Sequence, residues 1–148
     1  MAFRFSLATL LRLRVSQEHQ QELLLHSANQ QLQRIAQDLA SLQSLESDLS
    51  ATAKSLLAGG MAAVELHFVD QCLNQLERQK NLARKKIAEA RRELTVRLAA
   101  FEEARRQRRM IEEIRDRQKN SYHQTEARRE QRILDDLYLV LRNRGRTG

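Results

Sequence analysis

The chain has 148 residues, no proline, four glycines, only 4% aromatic residues and a formal net charge of +7. This length predicts a single domain, and so few aromatic residues argue against a large globular core. The single cysteine, Cys72, excludes an intramolecular disulfide, and no apolar run approaches the ~20 residues that a membrane-spanning helix needs.

The first predicted element is a helix over about residues 6–57, with Ser6 as its N-cap. Its apolar residues recur at alternating steps of three and four, the period of about 3.5 that is typical of a left-handed coiled coil. Glu46 interrupts this seam. The seam residues are Leu25, Ala28, Leu32, Ile35, Leu39, Leu42, Leu49, Ala53 and Leu56.

A turn is predicted at residues 58–61, where Gly59 and Gly60 stand together. Glycine weakens a helix more than any residue except proline. The other two glycines, Gly145 and Gly148, lie at the end of the chain. The helical sequence is therefore broken once, well before its midpoint.

A second helix is predicted over about residues 62–141, followed by a frayed tail at 142–148. It repeats the apolar spacing, but Lys80, Arg97 and Arg108 fall in its seam, where we expect their long stems to reach outward to solvent. The apolar seam residues are Leu66, Val69, Leu73, Leu76, Ala83, Ile87, Ala90, Leu94, Phe101, Ala104 and Ile111.

Together these elements predict an all-α fold: a long antiparallel two-helix coiled coil, or helical hairpin, with unequal arms and its turn near Gly59-Gly60. Folding there places Leu7 opposite the region of Glu112. Most of the segment from Glu113 to Leu141 then has no partner within the chain. Because this segment is rich in apolar residues, it is predicted to be a binding surface, with a frayed or back-folded end as the alternative.

No motif for catalysis, cofactor binding or metal binding is found. Gly59-Gly60 lacks the following Lys-Ser/Thr of a phosphate-binding loop. His19 and His26 are two helical turns apart, too far for chelation from adjacent turns. The chain is therefore predicted not to be an enzyme and to need no cofactor or metal.

Positive charge is concentrated in the second helix, where residues 78–119 contain fifteen bases and seven acids. This excess fits a solvated face, an acidic protein partner or a phosphate backbone. The basic runs lack interleaved aromatic residues for base stacking, and they begin inside the seam rather than in a separate arm before a zipper. Specific nucleic-acid binding is therefore not expected.

The motifs follow a characteristic order along nearly the whole chain. Phe3-Arg4-Phe5-Ser6-Leu7 precedes Leu10-Leu11 and Arg14, a Gly turn follows, and Arg106 to Gln118 lead to Leu134-Asp135-Asp136-Leu137. This order resembles the flagellar FliJ family, small coiled-coil proteins of the flagellar type III export apparatus. Stalk proteins of virulence type III secretion systems share the architecture.

The resemblance implies a cytoplasmic stalk, peripherally associated with the inner membrane through the export apparatus, that binds and stimulates the hexameric export ATPase. It also implies contact with the cytoplasmic domain of the export gate and with export chaperones. The implied ATPase-ring residues are Phe3, Phe5, Leu7, Leu11, Ile133, Leu134, Leu137, Tyr138 and Arg142. The implied export-gate residues are Leu42, Leu45, Cys72 and Leu76.

A second hypothesis is that the chain is a generic coiled-coil adaptor or export chaperone. It predicts self-association through residues 120–141, because two copies could cover each other's apolar faces.

Overall fold

A computed structural model describes residues 2–60 and 62–146, and within these ranges every regular element is an α-helix. Helix α1 spans Ala8–Ala58 and helix α2 spans Ala63–Arg146. The two helices pack against each other as a helical hairpin, so the predicted fold class is confirmed. The arms are unequal, with 51 residues in α1 and 84 in α2.

The helix ends differ from the predicted ones by a few residues. Leu7, and not Ser6, caps α1, because the Leu7 carbonyl accepts the first helical bond, from the Leu11 N–H at 2.9 Å. Helix α2 runs past the predicted end at Leu141 to Arg146, so residues 142–146 of the expected tail are helical. Arg144 and Arg146 in its last turn favour this extension, because they oppose the negative end of the helix dipole. Thr147 and Gly148 lie outside the described residues.

The turn depends on Gly60, whose φ of +84° lies in the left-handed region. The Gly59 N–H donates to the Leu56 carbonyl at 3.1 Å, and the Gly60 N–H donates to the Leu57 carbonyl at 3.3 Å. These bonds satisfy carbonyls that the end of α1 would otherwise leave without partners. A Cβ at Gly60 would meet open space, so the left-handed φ alone is the reason for glycine here. Met61, within the predicted turn, lies outside the described residues.

The packing falls into two compact units. The turn unit comprises residues 19–102, and the terminal unit comprises the described residues up to Glu18 together with those from Glu103 onward. In the turn unit the most buried apolar side chains are small or medium in size, which lets two helices approach closely without a third layer. They are Ala28, Ala53, Val69, Ala83 and Ile87.

Lys80 lies inside the seam of the turn unit, contrary to the expected outward course of its stem. Only 8% of the residue is exposed. Its Nζ donates to the Glu46 carboxylate and, at 3.2 Å, to Glu77. Glu46 is the residue that interrupts the α1 seam, so the interruptions of the two helices face and neutralise each other.

Arg97 and Arg108, the other two cations predicted to reach outward from the seam, are also ion-paired. Arg97 donates to Glu93 on its own helix at 2.8 Å. Arg108 belongs to the terminal unit, where it pairs with Glu18 of α1 and with Glu112 of α2, the latter at 2.6 Å.

The hydrogen bond to Glu46, followed by that to Glu77, raises the pKa of Lys80 above its ordinary value of 10.5. The protonated amine thus stabilises the folded state fully below pH 10.5, and this contribution is lost as the pH rises through the raised pKa. We expect Lys80→Arg to lose less thermal stability than the wild-type chain between pH 8 and about 11.5, because arginine stays charged there. Thermal unfolding followed by far-UV circular dichroism measures this, with the exposed Lys86→Arg as control. Equal alkaline losses in the Lys80→Arg variant and the wild-type chain would contradict the expectation.

The terminal unit reaches further along α2 than the sequence indicated. Residues 2–5 are not helical, and the Phe3 ring packs on Tyr122 with 5.6 Å between ring centroids. The contacts of the amino terminus thus extend past Glu112 to Tyr122, and the part of α2 without a partner is shorter than the segment from Glu113 onward.

Candidate partner-binding surfaces

The last part of α2 presents an apolar surface to solvent. We call residues 127–146 the overhang, because every residue in this range is exposed. Six apolar side chains, each between 50% and 67% exposed, form what we call the overhang stripe: Ile133, Leu134, Leu137, Tyr138, Val140 and Leu141. At about 100° per residue these six side chains share one side of the helix. Leu139, although 51% exposed, points to the other side together with Asp135 and Asp136.

Arginines stand at both ends of the overhang stripe. Arg128, Arg129 and Arg132 precede it, and Arg142, Arg144 and Arg146 follow it. The acids of the overhang are Glu130, Asp135 and Asp136, and Asp135 accepts a hydrogen bond from Gln131 at 3.0 Å. The overhang therefore combines an apolar face with a net positive charge at each end.

The sequence-predicted ring-binding residues fall into two groups. Ile133, Leu134, Leu137, Tyr138 and Arg142 are exposed on the overhang. Phe3, Phe5, Leu7 and Leu11 are half-buried in the terminal unit, where Phe3 contacts Tyr122. The amino-terminal group therefore contributes to packing, and the overhang group is the one available to a partner.

The sequence-predicted gate-binding residues all lie in the turn unit. Leu45 is 55% exposed, whereas Leu42, Leu76 and the free thiol Cys72 are half-buried at or beside the seam. The structure thus places all four residues on one unit, where Leu45 is the most exposed of them.

Exposed leucines outside the seam form a groove that the seam analysis did not find. Leu23 and Leu98 are 56% and 44% exposed, and with Leu25 and Leu94 they line a groove of about 640 Å³ between the helices of the turn unit. The remaining lining residues are His19, Glu22, His26 and Asn29. A search for leucines next to the heptad seam, and not only within it, would have found this groove.

The described residues offer no obvious site for other chemistry. They contain no group of three or more His, Cys, Asp and Glu residues that could hold a metal ion. Two of the histidines are within hydrogen-bond distance of a glutamine one helical turn away. The distance between the Nε2 atoms is 3.1 Å for His26 and Gln30 and 3.2 Å for His67 and Gln71. Within residues 2–60 and 62–146, no helix combines the length and apolar character required for a membrane span.

Comparison with known proteins gives one finding. A family model described as FliJ, the flagellar FliJ protein, matches residues 3–147, which is nearly the whole chain. Neither the curated proteins nor the solved structures give a match.

Proposed function

This chain belongs to the flagellar FliJ protein family, and from that premise we propose that it acts as a stalk that binds and stimulates the hexameric export ATPase. Membership makes the chain a component of the flagellar export apparatus. Proteins of this family are structural components of the export apparatus and are not known as enzymes. The specific partners, and a cytoplasmic position at the inner membrane, are parts of the proposal.

The overhang is the observation that carries the proposal. Fully burying one apolar side chain of the size of Leu contributes about 1.5–3 kcal/mol to the free energy of binding. Because the six side chains of the stripe are about half exposed, their burial offers roughly 5–10 kcal/mol before the cost of association. A helix end that enters a ring with an apolar lining would gain this energy. The flanking arginines would in turn favour acidic residues on the partner.

The same arginines argue against the adaptor reading, in which two overhangs cover each other. An antiparallel pair of stripes centred on Leu137 would place Arg132 of one copy beside Arg142 of the other. A parallel pair would place every arginine beside the same arginine of the other copy. Like charges in these positions are destabilising, so a partner with acidic flanks fits the overhang better than a second copy does.

ATP hydrolysis by the purified ring, measured with increasing amounts of this chain, tests the proposal. We expect the rate to rise and then to level off when the rings are saturated. A rate that stays at the level of the ring alone at every ratio would overturn the proposed stimulation.

For the export gate we propose contact through the turn unit, with Leu45 as the accessible residue. Leu45→Asp adds a charge where an apolar partner would cover the side chain, so we expect about tenfold weaker binding to the cytoplasmic domain of the gate. Calorimetry with the purified domain measures this. The control is Val96→Asp, since Val96 is similarly exposed and lies elsewhere on the unit. Equal binding by the two variants would remove Leu45 from the contact.

Binding of export chaperones by this chain is also part of the proposed function.

A further inference from the structure

The turn unit carries a row of cations on one side of α2. Counting heptads from the buried residues Lys80 and Ile87, Arg84 and Arg91 occupy the fifth position of successive repeats, which flanks the seam. Lys85 and Arg92 follow them at the sixth position. All four are exposed. The pairs are about 10 Å apart along the helix.

These cations form few ion pairs. Among the ion pairs of the described residues, only Arg84 of the four takes part in one, with Glu77 at 3.7 Å. On α1, the residues at the fifth heptad position in this stretch are Ala36 and Gln43, which are neutral. Lys85, Arg91 and Arg92 thus stand close together without an ion pair among the described residues, and like charges so placed lower the stability.

The row of cations leads into the apolar groove described above. Leu98 occupies the fifth heptad position after Arg91, and it lines the groove together with Leu94. On α1 the fifth positions Glu22 and Asn29 line the same groove. Cations and groove thus lie on one side of the helix pair. Glu22 is the acidic residue of the groove, and its Oε2 lies 3.9 Å from the Nδ1 of His19.

We propose that this side of the turn unit is a docking site for an amphipathic, acidic helix of a partner protein. Apolar side chains of that helix would fill the groove at Leu94 and Leu98, and its carboxylates would meet the guanidinium groups of Arg91 and Arg84. Arginine suits this task because its planar fork binds a carboxylate through two hydrogen bonds. From Arg84 to Leu98 the site is about 21 Å long, which corresponds to four turns of the docked helix.

Other occupants fit less well. A second copy of this chain carries a net charge of +7 and would be repelled. A nucleic acid would find no aromatic side chain among the cations for base stacking and would place phosphates next to leucines. A flat bilayer cannot enter a groove between two helices. This site is separate from the overhang and does not depend on the ATPase proposal.

The test uses the full chain and a synthetic amphipathic helix of about 18 residues with leucines on one face and glutamates beside them. Fluorescence anisotropy gives its affinity. We expect binding that weakens with salt and that falls about tenfold in a quadruple variant, because each exposed ion pair contributes a few tenths of a kcal/mol to about 1 kcal/mol. The variant is Arg84→Gln, Lys85→Gln, Arg91→Gln, Arg92→Gln. The matched control removes four other exposed cations: Lys54→Gln, Lys86→Gln, Arg117→Gln, Lys119→Gln.

A second variant, Leu98→Gln, tests the groove without changing charge. We expect about fivefold weaker binding and unchanged helical content, since Leu98 is 44% exposed. The proposal is overturned if the peptide does not bind, if a peptide with lysines in place of glutamates binds as well, or if the quadruple variant and its control lose equal affinity. Tighter binding to duplex DNA or to phosphatidylserine vesicles, lost in the quadruple variant, would instead assign the row of cations to those ligands and would overturn it too.

Discussion

Leu137→Asp is expected to leave the chain folded and to lower its affinity for the export ATPase by roughly thirtyfold. Leu137 is 53% exposed and stands in the middle of the overhang stripe, so its replacement disturbs no packing of the hairpin. In a complex the variant would forfeit the burial of a leucine and would place a charge in an apolar contact, a loss of about 2 kcal/mol or more. Adding Tyr138→Asp is expected to abolish stimulation of ATP hydrolysis.

Leu139→Asp is the matched control for this prediction. Leu139 is 51% exposed and is two residues away, but it points to the opposite side of the helix. Its replacement changes charge and hydrophobicity by the same amount without touching the stripe. Equal loss of stimulation by Leu137→Asp and Leu139→Asp would mean that the net charge of the overhang, and not its apolar face, determines binding.

Ile87→Ala is expected to destabilise the turn unit by about 2–4 kcal/mol, at the lower end of this range because the seam is only two helices thick. Ile87 is 8% exposed and is among the few sizeable side chains buried between the helices. Urea unfolding followed by far-UV circular dichroism gives the free energy of unfolding. Leu82→Ala removes a similar side chain from the same helix where 55% of it is exposed, and is expected to cost less than about 0.5 kcal/mol. Similar losses in both variants would show that the seam does not hold the unit together.

The sequence was sufficient to predict the hairpin, because the seam period and the Gly59-Gly60 break are local signals. It also revealed the two interruptions, Glu46 and Lys80, but not that they meet. Whether they meet depends on the register, which the geometry of the turn around Gly60 determines. A shift of one turn would have separated them and left Lys80 only with Glu77 of its own helix.

The candidate surfaces were predicted only in part for similar reasons. The residues of the overhang stripe were identified from the sequence, but the beginning of the overhang depends on where the amino-terminal residues meet α2, and there Phe3 contacts Tyr122. Heptad analysis gives no position for residues 2–5, because they are not helical. The groove at Leu98 was missed because a seam search assigns leucines outside the seam to solvent.

The contact between Phe3 and Tyr122 has a consequence for folding kinetics. Contacts of an antiparallel hairpin enclose longer loops the further they lie from the turn: 34 residues separate Glu46 from Lys80, whereas 90 separate Glu18 from Arg108. Because closing a shorter loop costs less entropy, the contacts of the hairpin form in order from Gly60 towards the termini. The aromatic contact then forms last and opens first. Transient opening would uncover Tyr122, and amide hydrogen exchange would be fastest in the part of the hairpin nearest to the overhang.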